Sequence, residues 1–273
     1  SMGLTGDIND IMNAHNLAMV AIGVVVGYFV EGGSATSSGI VLAPAVAILA
    51  TAGGNGLNDY LDRDVDRIAH PKRPIPSGHL SPESALVFST VSFILAIIVS
   101  FLVSWICLAI AGINIGLMVG YEMRLKRGGL FGNIAISYLV GSLFLFGGAA
   151  AGGLARTLIL APLAILATLG REIAKDVEDM EGDRDSRVTI PMKIGKKKAT
   201  IIASSLILSA VALSPIPYLL GLYGSFYLYI LLIADALFVI SALVIFFRID
   251  LGEELAKYGM LVGVGAFLGG AFL

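Results

Sequence analysis

Nine apolar stretches, near residues 14–30, 39–57, 82–103, 105–121, 130–154, 157–174, 198–220, 226–246 and 256–273, take up most of this chain. Each approaches the roughly 20 residues that an α-helix needs to cross a bilayer. A backbone in lipid has no water to bond to, so a crossing segment must satisfy its own N–H and C=O groups, which separate runs of this length do as helices. Only 14% of the residues are charged and 57% are hydrophobic, against a charged fraction of about 25% in soluble domains. Mean hydropathy is +0.89. These values exclude a soluble globule and predict an all-α, polytopic membrane bundle. The third and fourth stretches are divided only around Ser104 and Trp105, so the count is eight or nine. The single cysteine, Cys107, sits inside an apolar run and reads as a packing residue.

The net charge of −2 conceals a one-sided distribution. Arg63, Arg67, Lys72 and Arg73 share one loop, and Arg124, Lys126 and Arg127 share another. Arg171, Lys175, Arg184, Arg187, Lys193, Lys196, Lys197 and Lys198 flank a third, and Arg248 and Lys257 a fourth. That is 17 of the 18 basic residues, all on every second loop, with Arg156 alone on the other side. The positive-inside rule then places the N-terminus and the basic loops in the cytoplasm, and with nine spans the C-terminus outside.

An internal repeat lies within this frame. Residues 48–66 read ILATAGGNGLNDYLDRDVD and residues 165–183 read ILATLGREIAKDVEDMEGD, 117 positions later, with eight of nineteen positions identical. The shared positions are a helical lead-in and three aspartates: Asp59, Asp62 and Asp66 in the first copy, Asp176, Asp179 and Asp183 in the second. At about 100° per residue, Asn55, Asp59, Asp62 and Asp66 fall on one arc of a helix, and Glu172, Asp176, Asp179 and Asp183 on the matching arc. The copies are four helices apart and therefore point the same way, which predicts two parallel-related halves within a single domain spanning 1–273. The loop at 67–81 carries several prolines and is expected to be irregular, with Ser81 as N-cap and Pro82 at the first position of the next helix. Gly182 is expected to end the second acid-bearing helix.

A charged residue at the middle of a lipid-facing helix costs about 2.5–3.5 kcal/mol on insertion scales. The six aspartates are therefore expected to face a water-filled cavity at the cytoplasmic end of the bundle, where intramembrane acids mark function. Asp64, Glu178, Glu181 and Asp185 project off the shared arc and read as solvated helix ends. Oxygen ligands without a His or Cys cluster favour a hard cation, and Mg²⁺ binds through a few carboxylates plus the phosphate oxygens of a substrate. With Arg63, Lys175 and the 121–127 segment nearby, acid, metal and base together suit the binding of a diphosphate and its stabilisation as a leaving group.

These residues carry a resemblance. Asn58-Asp59-x-x-Asp62-x-x-x-Asp66 resembles the NDxxDxxxD motif of the UbiA superfamily of intramembrane prenyltransferases. Asp176-x-x-Asp179-x-x-x-Asp183 resembles its second acidic motif, and Tyr121 with Lys126 its YxxxxK element. Within the superfamily, NDYLDRDVDRIAHPKRPIPSG and REIAKDVEDMEGD are most similar to the archaeal enzymes of ether-lipid synthesis. The resemblance implies Mg²⁺-dependent transfer of a geranylgeranyl group from geranylgeranyl diphosphate to the glycerol hydroxyl of geranylgeranylglyceryl phosphate, among membrane lipids and with no nucleic acid. It implies Asn58, Asp62, Asp66, Asp179 and Asp183 as metal ligands, with Asp59 and Asp176 in or next to that set. It further implies Arg63, Lys126, Arg73 and Lys175 on the diphosphate, and Tyr121 near the reacting carbon.

The chain departs from the pattern in two places. Asn13-Ala14-His15-Asn16 stands where many relatives carry an Arg in an RxxN-like element, which removes a basic residue suited to the acceptor's phosphate. Arg187-Val188-Thr189-Ile190-Pro191 replaces a Gly-containing lead to Thr-Leu-Pro and reads as loop drift. Two other readings stay open from the sequence. An aromatic acceptor would keep the same donor chemistry, and a cation transporter would need acids near mid-membrane with access from both sides.

Overall fold

The computed structural model describes residues 4–180 and 187–273, and in these every regular element is a helix. In order the helices are α1 (Leu4–Val30), α2 (Gly39–Leu61), α3 (Arg63–Ala69), α4 (Pro82–Val103), α5 (Trp105–Met123), α6 (Leu130–Ala151) and α7 (Thr157–Glu178). They continue with α8 (Ile190–Ile194), α9 (Lys196–Leu213), α10 (Ile216–Leu219), α11 (Ser225–Val244) and α12 (Ile249–Phe272). Among the described residues eight helices are long and apolar enough to cross a bilayer. The first predicted stretch is a shorter apolar run, Ala14–Val30, within α1. The chain is thus an all-α polytopic membrane bundle.

Local chemistry sets several boundaries. The predicted division near Ser104 is real: its backbone is extended (φ −171°, ψ 165°) and its hydroxyl caps α5 by accepting from the Cys107 amide at 3.1 Å. Ser81 caps α4 in the same way, accepting from the Ser84 amide at 3.1 Å with Pro82 following. Helix α6 stops at Ala151, earlier than the apolar run alone indicates, because Gly152 adopts the left-handed conformation (φ 103°) of a C-terminal cap.

The two acid-bearing helices end at matching positions. Helix α2 ends at Leu61 and α7 at Glu178, and the next residues have nearly the same backbone, Asp62 at φ −92°, ψ 9° and Asp179 at φ −89°, ψ 6°. The expected single arc from Asn55 to Asp66 is therefore broken at Asp62, and Asp66 belongs to α3. The electrostatics favour that break: Asp62, Asp64 and Asp66 oppose the negative end of a helix but suit the positive start of the next one. The expected stop at Gly182, like Asp183, Glu181 and Asp185, lies outside the described residues.

Helix α2 packs on α4, α7 on α9, α6 against α1, α2, α5 and α7, and α12 reaches back to α1. Small residues set the closest approaches. A Cβ on Gly53 would press on the Phe93 ring at 2.8 Å, and the Gly53 carbonyl accepts from Ser89 Oγ at 2.6 Å. Its repeat partner Gly170 plays the same part against α9, where a Cβ would meet Ile207 at 2.8 Å and the Ala203 carbonyl at 2.9 Å. The α1–α6 crossing is tighter still, since side chains at Gly27 and Gly147 would run into the Phe144 and Val24 carbonyls respectively. At the end remote from the acids, Glu31 Oε1 accepts from the Arg156 and Thr157 amides at 2.6 and 2.8 Å and from the Thr157 hydroxyl at 3.1 Å. That carboxylate satisfies the first amides of α7 from the far end of α1. Gly265, by contrast, has nothing near its missing Cβ.

Gly147→Leu is therefore expected to cost at least about 3 kcal/mol through overpacking against backbone and to lower the detergent melting temperature sharply. Gly265→Ala should leave that temperature within a few degrees of the parent. Equal melting of both variants would contradict the crossing described here.

Candidate active site

The first acidic motif is held by groups from another helix end. Asn58 donates through Nδ2 to Asp62 Oδ2 at 3.2 Å and to Glu122 Oε2 at 2.8 Å. Lys126 Nζ lies 3.0 and 2.9 Å from the two Asp62 oxygens and 2.9 Å from Glu122 Oε2. Helix α2 supplies Asn58 and leads into Asp62, while α5 supplies Glu122 and the 3₁₀ turn after it, Leu125–Arg127, supplies Lys126. One ammonium thus serves two carboxylates at 13% exposure. Asp59 lies within electrostatic range of Arg73, Asp66, Asp62 and Glu122.

A second pair comes from the proline-containing loop, which folds back so that Arg73 Nη1 reaches Asp66 Oδ2 at 3.0 Å. Asp66 is buried, with 3% of its surface exposed. In the second motif, Asp176 is buried and accepts from Asn133 Nδ2 of α6 at 2.9 Å. Tyr121 stands between the motifs, within electrostatic range of Glu122, Glu172, Asp176 and Arg187.

Other expected site residues stand apart from these networks. Asp179 and Lys175 are exposed at the end of α7. Arg63, the first residue of α3, turns back on the end of α2, donating to the Tyr60 carbonyl at 2.7 Å with its guanidinium 4.5 Å from the Tyr60 ring centroid. Asp183 lies outside the described residues. Asp64 pairs with Arg67 in the open, as a solvated helix end does.

Three cavities lie in the bundle. A small polar recess of about 20 Å³ beside the acids is lined by Tyr121, Lys126, Asn133, Asp176, Arg187 and Thr189, with Gly129, Gly132 and Glu172 completing it. Toward the membrane interior lies an apolar pocket of about 160 Å³ between α1, α2, α5 and α6, which includes Val46, Thr51, Asn114, Met118 and Phe146. Met118 is one turn from Glu122, so this pocket begins immediately below the Asp62 network. A further apolar pocket of about 70 Å³ lies on the other side of α6, where Val140 lines both.

The sequence reading missed Glu122, Asn133 and Thr189 as members of the site. Glu122 adjoins Tyr121 in the YxxxxK element, which was a usable signal. Asn133 showed only as a polar residue opening an apolar run, and nothing local linked it to Asp176, 43 positions away.

The donor set is oxygen-only, and among the described residues no three His, Cys, Asp or Glu side chains close into a metal cage. This fits Mg²⁺, which binds through one or two carboxylates and takes its remaining ligands from water and substrate phosphates.

Residues 20–268 match the UbiA prenyltransferase family. The digeranylgeranylglyceryl phosphate synthase of Methanopyrus kandleri is 43% identical over 257 residues, covering 93% of this chain and 94% of that one. A solved structure from work on digeranylgeranylglyceryl phosphate synthase in membranes has a TM-score of 0.86 and 34% identity, covering 94% of both chains. A UbiA homologue from Archaeoglobus fulgidus, bound to DMAPP and Mg²⁺, shares the fold at a TM-score of 0.69 and 15% identity, over 93% of this chain and 96% of that one. With its acid-bearing helix ends, its oxygen-only donors and a match over most of its length, the chain belongs to the UbiA prenyltransferase family.

Proposed function

We infer that the chain transfers a geranylgeranyl group from geranylgeranyl diphosphate to the free glycerol hydroxyl of geranylgeranylglyceryl phosphate, as archaeal ether-lipid synthesis requires. The observation that carries this reading is the Asp62, Glu122 and Lys126 network set directly above an apolar pocket, in a chain similar over nearly its full length to synthases of that name. In the reaction the allylic C–O bond to the diphosphate breaks, a new ether C–O bond forms, and the hydroxyl proton is released.

The residues divide this work by chemistry. Asn58, Asp59, Asp62 and Asp66 on one side, and Asp176, Asp179 and Asp183 on the other, would hold Mg²⁺. When bound, Mg²⁺ supplies positive charge that draws electron density from the leaving diphosphate. Lys126 already lies at hydrogen-bond distance from Asp62, and Arg73 from Asp66, so base and acid meet where a metal diphosphate needs both. Arg63 and Lys175 are the further bases for that anion, and each must swing from its present position to reach it. Tyr121 sits between the two motifs, a position suited to the reacting carbon. The apolar pocket takes the prenyl chain and excludes water from the developing allylic cation.

In this reading the two acid-bearing helices are equivalent members of two parallel-related halves of one domain. Their matching helix ends and the matching roles of Gly53 and Gly170 support it. The basic loops, and with them the acids, face the cytoplasm.

Asp62→Asn and Asp179→Asn should each lower Mg²⁺-dependent turnover by at least about a hundredfold while melting within a few degrees of the parent. Parent-like turnover in both would remove the acidic motifs from the mechanism. The substrate is tested by offering labelled geranylgeranyl diphosphate with either geranylgeranylglyceryl phosphate or 4-hydroxybenzoate. Product with the glycerol lipid alone is expected, and product with the aromatic acid alone would overturn the acceptor assignment.

A further inference from the structure

The polar recess beside Asp176 includes groups that the metal and diphosphate assignments leave unused, namely Arg187, Thr189 and the first turn of α6. Its floor is the start of α6. Gly129 holds φ +64° as the residue before the helix, and among the described residues no side-chain cap bond is made there. The first amides of a helix have no partners within it and carry partial positive charge. No acidic residue occupies the first turn of α6 to offset that charge. Instead, bases gather there. Lys126 and Arg187 line the recess, and Lys193 Nζ would lie 3.7 Å from a Cβ on Gly129.

The walls are built rather than incidental. The Val188 amide donates to the Arg127 carbonyl at 3.3 Å, which joins the segment before α8 to the turn after α5. Gly132 has no room for a side chain because the Leu125 carbonyl lies where its Cβ would be. Thr189 closes the recess. It is 2% exposed, and its hydroxyl is buried without a hydrogen-bond partner among the described residues. A buried hydroxyl without a partner costs free energy, and here it borders a recess rimmed by bases and the first turn of α6. Glu172 and Asp176 are the acids on the opposite wall, and Asp176 is engaged by Asn133.

Helix amides, a hydroxyl and cations converging on one small cavity are the elements of a phosphate site. We propose that this recess binds a phosphate monoester, and that in turnover it holds the phosphate of the acceptor lipid. The identity of the lipid rests on the prenyltransferase reading above, whereas the anion site itself does not. The position suits an acceptor. The recess lies at the edge of the second acidic motif, so a phosphate held there by Thr189 and Arg187 would sit beside the donor diphosphate. The second apolar pocket starts at Val140, about 12 Å farther along α6 from Gly132 at 1.5 Å per residue. The site would also supply the basic grip that the first helix lacks at 13–16. The 187–191 segment, which reads as drift in sequence, then has a function.

The test uses the full-length protein in detergent, with Thr189→Val, which keeps the shape and removes the hydroxyl, Thr189→Ser, which restores it, and Arg187→Gln. In Mg²⁺-free buffer, inorganic phosphate should raise the melting temperature of the parent and of Thr189→Ser, and raise it less in Thr189→Val and Arg187→Gln. In steady-state assays, Thr189→Val should raise KM for geranylgeranylglyceryl phosphate about tenfold, the effect of one lost hydrogen bond to a charged group. Its KM for geranylgeranyl diphosphate should stay within about twofold. The parent should prefer this acceptor to the same lipid without its phosphate, and the preference should narrow in the variant. A rise in donor KM instead, or no change in either KM, would overturn the proposal. So would an undiminished phosphate response in both Thr189→Val and Arg187→Gln. A parent that transfers to no acceptor would defeat the substrate reading, and the melting experiment would still decide whether the recess binds phosphate.

Discussion

Carboxylates at the end of an apolar bundle repel one another and lose hydration, and the architecture depends on offsetting both effects with groups brought from elsewhere in the chain. Lys126 sits between Asp62 and Glu122, Arg73 reaches back to Asp66, and Asn133 holds Asp176. None of these partners lies on the helix whose acid it serves. The turn after α5, the loop after α3 and the start of α6 must therefore be in place before the acids can be. Coulomb attraction at these distances is several-fold stronger in a partly buried setting than in water, so the same contacts order the loops around the site.

The break in each acid-bearing helix follows from the same electrostatics. A longer α2 would place Asp62, Asp64 and Asp66 against its negative end. Stopping at Leu61 gives Asp64 and Asp66 to the favourable start of α3. The turn at Asp62 also aims its carboxylate at Lys126, while Asp66 is carried into the reach of Arg73. A continuous helix would present the acids as one stripe, whereas the kink distributes them between two different bases.

Much of this was legible in the sequence because membranes restrict what a chain can do. Apolar run length foretold the long helices, Ser81 and Ser104 foretold two of their starts, and the 117-residue repeat located the helix ends that carry the acids. The kink at Asp62 was not legible from helical periodicity, which counts angles and has no account of helix dipoles. Glu122 and Asn133 were missed for a different reason. Their partners lie 64 and 43 positions away, and no local pattern reports a contact made only when helices pack. The position of Arg63, stacked on Tyr60, likewise depends on a rotamer that the sequence does not encode in any spacing.

The glycine crossing between α1 and α6 has a consequence for traffic. Where Gly27 and Gly147 meet the opposite backbone, no gap remains for a hydrocarbon tail, and Glu31 ties the adjoining end of α1 to the first residues of α7. That seam is a wall. Lipids entering or leaving the apolar pocket must use another side of the bundle. Of the helices lining that pocket, α5 is the least embedded, with only Cys107 and Ala111 fully buried and nothing near the missing side chains of Gly112 and Gly116. The bundle thus has one tightly closed side, at the helix pair that lacks room for a methyl group, and a more loosely packed one along α5.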